Sequence, residues 1–304
     1  MEFFKKKTKI PFMRQYKWAI VFSTFIFTAS ILSFFINGLN LGIDFTGGTQ
    51  AEISFPKAVN INSIRLQLVK QGFREALLQA YNTHDISVRI GIALQKKTQQ
   101  EQLKQKIMKA LPGSFIRESN YIGPQIGKTL IANGVLAVIV SLIVIMIYIA
   151  LRFEYRFSIS AAIALIHDPV VILGIFSFFH LEFNLIVLAG LLTVIGYSLN
   201  DTIVVYDRVR ENFRKVCKGG TPTSIVDLSI NQTLSRTIIT SGLTLLVVIG
   251  LFLFGGEMIH GFALVLIIGI VVGTYSSIYI ASALAVTLGL NRGNLVPQRE
   301  FLEE

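Results

Sequence analysis

Six uninterrupted apolar runs, each about as long as the roughly 20 helical residues that span a bilayer's hydrocarbon core, constrain this chain more than any other feature. They lie near Trp18 to Ile36, Leu130 to Leu151, Phe157 to Phe179, Leu185 to Val205, Thr237 to Phe254 and Phe262 to Leu288. Backbone inside lipid must satisfy its own polar groups, so each run is expected to be a helix. The balance of 52% hydrophobic to 15% charged residues agrees, because soluble domains carry about a quarter charged residues.

A net charge of +10 raises the question of nucleic acid, and the distribution of that charge answers it. Lys5, Lys6, Lys7, Lys9, Arg14 and Lys17 precede the first run, Arg152 and Arg156 separate the second from the third, and Arg208, Arg210, Arg214, Lys215, Lys218 and Arg236 lie between the fourth and fifth. Arg292 and Arg299 follow the sixth, whereas His180 to Asn184 and Gly255 to Gly261 hold neither Lys nor Arg. The positive-inside rule then places both termini in the cytoplasm and gives the cations to topology, with no nucleic-acid partner. The first run is longer than a signal-peptide core and lacks a small-residue cleavage site, so it reads as a retained helix. Cys217, a lone cysteine on the cytoplasmic side, forms no internal disulfide or cysteine cluster.

One long polar stretch separates the first two runs, and the same topology sets it outside the cytoplasm. Gln50 to Phe55 and Ile86 to Ala93 alternate as strands, Ile61 to Gln71 has helical spacing, and Ala76 to Tyr81 suits either state. Gln99 to Leu111 is a polar amphipathic helix, and Phe115 to Ile122 follows as a strand after the breaker Pro112-Gly113. The fold class is therefore an α-helical integral membrane protein with six transmembrane helices and an α+β domain between helices 1 and 2, ferredoxin-like with order βαββαβ. The expected organisation is an N-terminus and first helix at 1–37, the outer domain at 38–129, a five-helix bundle at 130–290 and a cytoplasmic tail at 291–304. Small residues in the last helix, among them Gly269, Gly273, Ser276, Ser277, Ala281 and Ala283, are read as close helix packing.

Asp201, beside Asn200, is the ionisable group that matters most, because a charge at membrane depth costs at least about 2.5 kcal/mol unless paired, hydrated or neutralised. It is read as functional, against the alternative of a helix-end carboxylate reaching for water. If the fourth and fifth helices turn at Gly219-Gly220-Thr221-Pro222, about 27 Å of helix leads from Asp201 to the turn and about 23 Å from the turn to Arg236. The two residues then reach similar depth, and an acid paired there with a guanidinium is a unit that protonation breaks. A separate surface helix at Thr223 to Leu234 would spoil that count, and Arg236 as a plain positive-inside anchor is the competing reading. Asp207, Arg208, Arg210 and Glu211 read as ordinary surface pairs. His167, Asp168 and Pro169 interrupt the third run, making Asp168 either a second relay carboxylate or a bundle-locking hydrogen bond.

Gly42-Ile43-Asp44-Phe45-Thr46-Gly47-Gly48-Thr49 follows the first helix and offers the backbone freedom a membrane-to-domain joint needs. It is not a phosphate loop, having neither Gly-x-x-x-x-Gly-Lys-Ser/Thr spacing nor a strand-to-helix context. Tyr121-Ile122-Gly123-Pro124 reads as the matching joint, so Asp44, Gly47, Gly48, Gly123 and Pro124 are assigned that structural part. His84, His180 and His260 are isolated, and no metal or other cofactor is expected.

These motifs resemble the SecF family of SecD/SecF proteins, within the resistance-nodulation-division superfamily, over nearly the whole chain. The resemblance rests on Gly42 to Thr49, Gly123-Pro124, Arg152-Phe153-Glu154, His167-Asp168, the run Gly196-Tyr197-Ser198-Leu199-Asn200-Asp201-Thr202-Ile203-Val204-Val205-Tyr206-Asp207-Arg208, and Ser235-Arg236-Thr237 with Thr240-Ser241-Gly242. It implies a non-enzymatic subunit of the bacterial inner membrane that pairs with SecD beside the SecYEG channel and uses protons as coupling ion to promote late export of translocating polypeptides. It also implies that Asp201 and Arg236 belong to the proton path, and that a chain of this length is the form separate from SecD. A proton-driven efflux component of the same superfamily and a scaffold that moves no protons are the alternatives.

Overall fold

A computed structural model describes residues 8–73, 76–80, 83–90, 97–215 and 220–290. After a short 3-10 turn at Phe12–Arg14 come α1 (Tyr16–Asn37), β1 (Asn40–Leu41), α2 (Ile43–Thr46), β2 (Gly48–Ser54), α3 (Ile61–Lys70), β3 (Leu77–Ala80), β4 (Asp85–Ile90), α4 (Lys97–Ala110) and β5 (Phe115–Ile122). The remainder is α5 (Pro124–Arg152), α6 (Tyr155–Phe178), β6 (Glu182–Phe183), α7 (Leu185–Lys215), α8 (Pro222–Phe254) and α9 (Glu257–Tyr275), which passes through a π-helical turn at Ser276–Ala281 into α10 (Ser282–Thr287). Among the described residues six helical spans, with α9 to α10 counted as one, are long and apolar enough to cross a membrane, as the six runs require. The basic residues at 5–7 and 292–299 and Cys217 lie outside the described residues.

The chain divides into two compact units, one of Leu41–Ala137 with Glu182–Leu185, the other of the remaining residues. The first therefore extends beyond the polar stretch, into the opening turns of α5, and takes in the turn before α7.

Within that unit the strands lie in the order β3-β4-β2-β5, every neighbouring pair antiparallel. This is the split βαβ arrangement that the order of elements implies, with β4 inserted between β2 and β3. Alternation turns Ala51, Ile53, Ile86 and Val88 inward, where Ile64 and Leu68 of α3 and Leu103 and Ile107 of α4 cover them. The ambiguous segment at 76–81 is a strand over Leu77–Ala80, paired to β4 from Leu77 opposite Arg89 to Ala80 opposite Ile86. Asn60 caps α3 by accepting from Asn62 N–H at 2.9 Å.

In the membrane unit α6, α7 and the last span form the interior, while α1 and α8 are mostly exposed on the isolated chain. Small residues bring backbones together. A Cβ on Gly174 would meet Ser30 of α1 at 2.2 Å, and one on Gly269 would meet Val194 of α7 at 2.2 Å. One part of this unit's core is aromatic, with Phe157, Tyr206 and Phe213 each 1% exposed. Tyr206 hydrogen-bonds Ser160 Oγ at 2.7 Å and donates to the Ala281 carbonyl at 3.0 Å, joining α6, α7 and the last span. Thr221 and Pro222 start α8 as N-cap and first residue, and the helix runs unbroken from Pro222 through Arg236 to Phe254. The stretch Thr223 to Leu234 is thus part of one long helix, and the depth count across the hairpin holds. Helix α6 likewise continues through Pro169 instead of breaking there.

Candidate functional site

Asp201 is buried, 6% exposed, on the inward face of α7. Its Oδ1 accepts from Thr237 Oγ of α8 at 2.7 Å and its Oδ2 from Ser277 Oγ of the π-helical turn at 2.6 Å. One carboxylate therefore joins three helical spans. Ser277 Oγ also reaches the Thr274 carbonyl at 3.0 Å. That second acceptor matters chemically. A protonated Oδ2 can donate to Ser277 Oγ while Ser277 turns its own hydroxyl to Thr274, so both states of the acid are hydrogen-bonded without rearrangement of the helices. A wider π turn carrying one of the two hydroxyls is the kind of local irregularity that membrane helices place at functional positions.

The expected Asp201–Arg236 contact is not made. No Arg236 nitrogen lies within 4.0 Å of the carboxylate, although the guanidinium charge still acts on it. The depth is right and the direction is not: successive helical residues point about 100° apart, so Thr237 faces Asp201 and Arg236 emerges on the exposed side of α8. Asn200 is exposed for the same reason, one step from Asp201 on α7. Ser277, read as a packing residue, is a polar partner instead.

Asp168, 1% exposed, is bonded on both oxygens: Oδ1 to His167 Nδ1 at 3.0 Å, and Oδ2 accepting from Ser198 Oγ of α7 at 2.5 Å. His167 Nε2 reaches Ser23 Oγ of α1 at 2.8 Å, and its ring stacks on Phe27. Asp168 of α6 is thereby bonded to α7 at Ser198, three residues before Asp201. Thr237, Ser277, Ser198, Ser23 and His167 were not singled out from sequence as partners. His167, Ser198 and Thr237 fall within the motifs that carry the resemblance, and otherwise the signal is a hydroxyl or an imidazole inside an apolar run, which also suits plain packing. Farther along α7, Arg152 pairs with Asp207 at 3.0 Å, and Glu211 holds Arg208 and Lys215 at 2.5 Å each.

The joint residues cluster in the other unit. Gly47 and Gly48 adopt φ of 71° and 128°, the left-handed region that favours glycine, and the turn they make sends the chain from α2 into β2. Asp44 Oδ2 accepts from Leu185 N–H at 2.9 Å, capping the first residue of α7 from a distant segment. Gly123 has no such backbone demand, and Pro124 begins α5, where a missing N–H costs nothing. Arg89, absent from the sequence candidates, is buried in β4; it donates to the Leu41 carbonyl at 2.9 Å and lies 3.7 Å from Glu182. Burial pushes the Glu182 carboxyl up from its ordinary range, Arg89 opposes that, and Asp44 and Glu52 add to it.

Six spans, an inserted α+β domain and hydroxyl-bound carboxylates inside the bundle define a multi-pass membrane protein with a buried polar site. Comparison with known proteins gives the family. The chain matches the family model "Protein export membrane protein SecD/SecF, C-terminal" over residues 102–291 and "SecD/SecF GG Motif" over residues 32–59. It is 48% identical over 299 residues to the protein translocase subunit SecF of Vibrio alginolyticus, covering 96% of this chain and 94% of that one. Against the SecF of Escherichia coli O157:H7 identity is 44% over 294 residues, covering 95% and 90%. The crystal structure of SecDF, a translocon-associated membrane protein from Thermus thermophilus, superposes with a TM-score of 0.85 at 35% identity, covering 92% of this chain. A second SecDF structure, in its super-membrane-facing form, gives 0.70 at 34% identity over 99% of this chain. The chain spans 39% and 40% of those longer SecDF chains. This chain belongs to the SecF family of protein translocase subunits.

Proposed function

We propose that this translocase subunit works in complex with SecD beside the SecYEG channel, in the bacterial inner membrane, and that protonation of Asp201 couples the proton gradient to late steps of polypeptide export. The carrying observation is the buried carboxylate joined to α8 and the last span by one hydroxyl each. A charge there costs at least about 2.5 kcal/mol unless its surroundings answer it, and two O–H donors answer it. Protonation cancels the charge and reverses the bond to Ser277, so the same partners stay joined by neutral hydrogen bonds in place of stronger charge-assisted ones. Arg236, level with Asp201 but turned away, acts on it by charge at longer range. Asn200 and Asp168 complete the polar set, and no catalytic chemistry is assigned. The lysine and arginine distribution supports cytoplasmic termini and a periplasmic domain at 38–129.

A membrane potential supplies about 2.3 kcal/mol per charge per 100 mV, enough for one proton to bias a two-state equilibrium of the bundle by a few kcal/mol. The test uses inner-membrane vesicles lacking native SecF, supplied with SecD and either this chain or Asp201→Asn. Completion of secretory-protein transport is followed with and without a proton gradient. Loss of the gradient's benefit in the variant, at equal complex levels, is the expected result; a benefit that persists moves the proton path out of this chain.

A further inference from the structure

We propose that His167 and Asp168 form a second proton-binding site within the bundle, placed between α1 and α7 and linked to Asp201 through Ser198. The inference rests on the reading that this chain couples proton movement, and its ligand is the proton itself. Neighbours at i and i+1 on a helix do not face each other, so the 3.0 Å contact between His167 and Asp168 requires both side chains to turn toward one another. What they reach decides their use. A neutral imidazole needs one acceptor and one donor, whereas an imidazolium needs two acceptors. Nδ1–H has Asp168 Oδ1 in either state; Nε2 accepts from the Ser23 hydroxyl when neutral and donates to the same oxygen when protonated, after that hydroxyl rotates. One proton can thus be added while both ring nitrogens stay hydrogen-bonded, and the Asp168 carboxylate lies beside the positive charge it creates.

The site has few competitors for that proton. Along α1 the titratable groups are Tyr16 and Lys17, both at its start; the last span offers Tyr275, which donates to the Ala19 carbonyl at 2.9 Å, and Tyr279. On α7 the titratable groups nearest Ser198 in sequence are Tyr197 and Asp201, followed by Tyr206 and the charged stretch Asp207 to Lys215; α6 itself adds Tyr155 and Arg156, the latter paired with Glu154 at the helix start. The link to Asp201 is short. Ser198 donates to Asp168 and lies three residues, about 4.5 Å along the helix, from Asp201. A Cβ at Gly273 would meet Ser198 Cβ at 3.0 Å, so the span whose Ser277 binds Asp201 also packs on Ser198 one turn earlier.

The experiment uses the full chain with SecD in nanodiscs, labelled with 15N-histidine; the chain has four histidines, and the signal missing from His167→Gln identifies the ring. The expected result is a His167 signal that changes with pH, with a pH response that differs in Asp168→Asn. In transport vesicles His167→Gln, which keeps a neutral hydrogen bond and cannot hold the charge, shifts the pH profile of gradient-driven completion at equal complex levels. A ring whose signal ignores both pH and Asp168→Asn, with a His167→Gln profile overlying wild type, makes the pair a neutral helix lock and overturns the proposal. If His167→Gln fails to assemble, Ser23→Ala takes its place: the proposal requires the ring's midpoint to move when that one partner is lost, and an unmoved midpoint refutes it. An Asp201→Asn chain that keeps the full gradient benefit refutes the proposed coupling instead, while the His167 titration still decides the second site by itself.

Discussion

Replacing Arg89 by Met should destabilise the α+β domain, because it removes the cation facing a buried carboxylate. Arg89 and Glu182 side chains are 6% and 9% exposed, and breaking such a pair by deleting one partner costs about 3–5 kcal/mol. The 3.7 Å separation is loose for an ion pair, which argues for the lower end, about 3 kcal/mol. That converts to a roughly 150-fold rise in the open population. Hydrogen exchange of the β4 amides, in the full chain in nanodiscs, reads this directly. The double variant Arg89→Met with Glu182→Gln should recover most of the loss, since no buried charge is left alone. The pH dependence has a definite sign. Burial raises the Glu182 carboxyl above 4.5, so the folded domain binds that proton more tightly than the unfolded chain. Its contribution is therefore greatest below about pH 4.5 and declines as pH rises toward the elevated value. Arg89→Met removes the opposing attraction and carries the decline to higher pH. Exchange within threefold of wild type in Arg89→Met, or a double variant no better than the single, would refute the reasoning.

Three further outcomes follow from single contacts. Asp44→Ala should cost about 1 kcal/mol of protection at the Leu185 amide, measured by exchange, and Asp44→Asn should retain most of it because an amide oxygen can still cap. Gly269→Val should lower the melting temperature of the purified chain by overpacking Val194, a penalty of about 1–3 kcal/mol, and Val194→Ala in the same chain should relieve it. Tyr206→Phe keeps the ring but leaves the Ala281 carbonyl buried without its donor, for about 1–3 kcal/mol in denaturation of the detergent-solubilised chain.

The membrane spans, the order of elements in the α+β domain and the placing of Asp201 within an apolar span were legible in sequence for one reason: each depends on near neighbours along the chain. Apolar length defines a span, alternation defines a strand, and a charge within an apolar run is conspicuous wherever it points. The hairpin arithmetic set Asp201 level with Arg236 because rise per residue is a property of the helix alone. Which residue of α8 faces Asp201 was decided by rotation about that helix, and rotation is set by packing. One residue's difference, about 100°, exchanged an ion pair with Arg236 for a hydroxyl from Thr237. Ser277 shows the same division. Its composition reads as a small packing residue, and only the π turn that carries it, seated against α7, makes it a ligand of the carboxylate. Arg89 and Glu182 have two whole membrane spans between them in sequence, and no local pattern pairs them. Sequence by itself determined what must be buried and how deep; the tertiary structure alone decided which polar groups meet there, because partners in a low-dielectric interior are selected by helix orientation over long sequence separations.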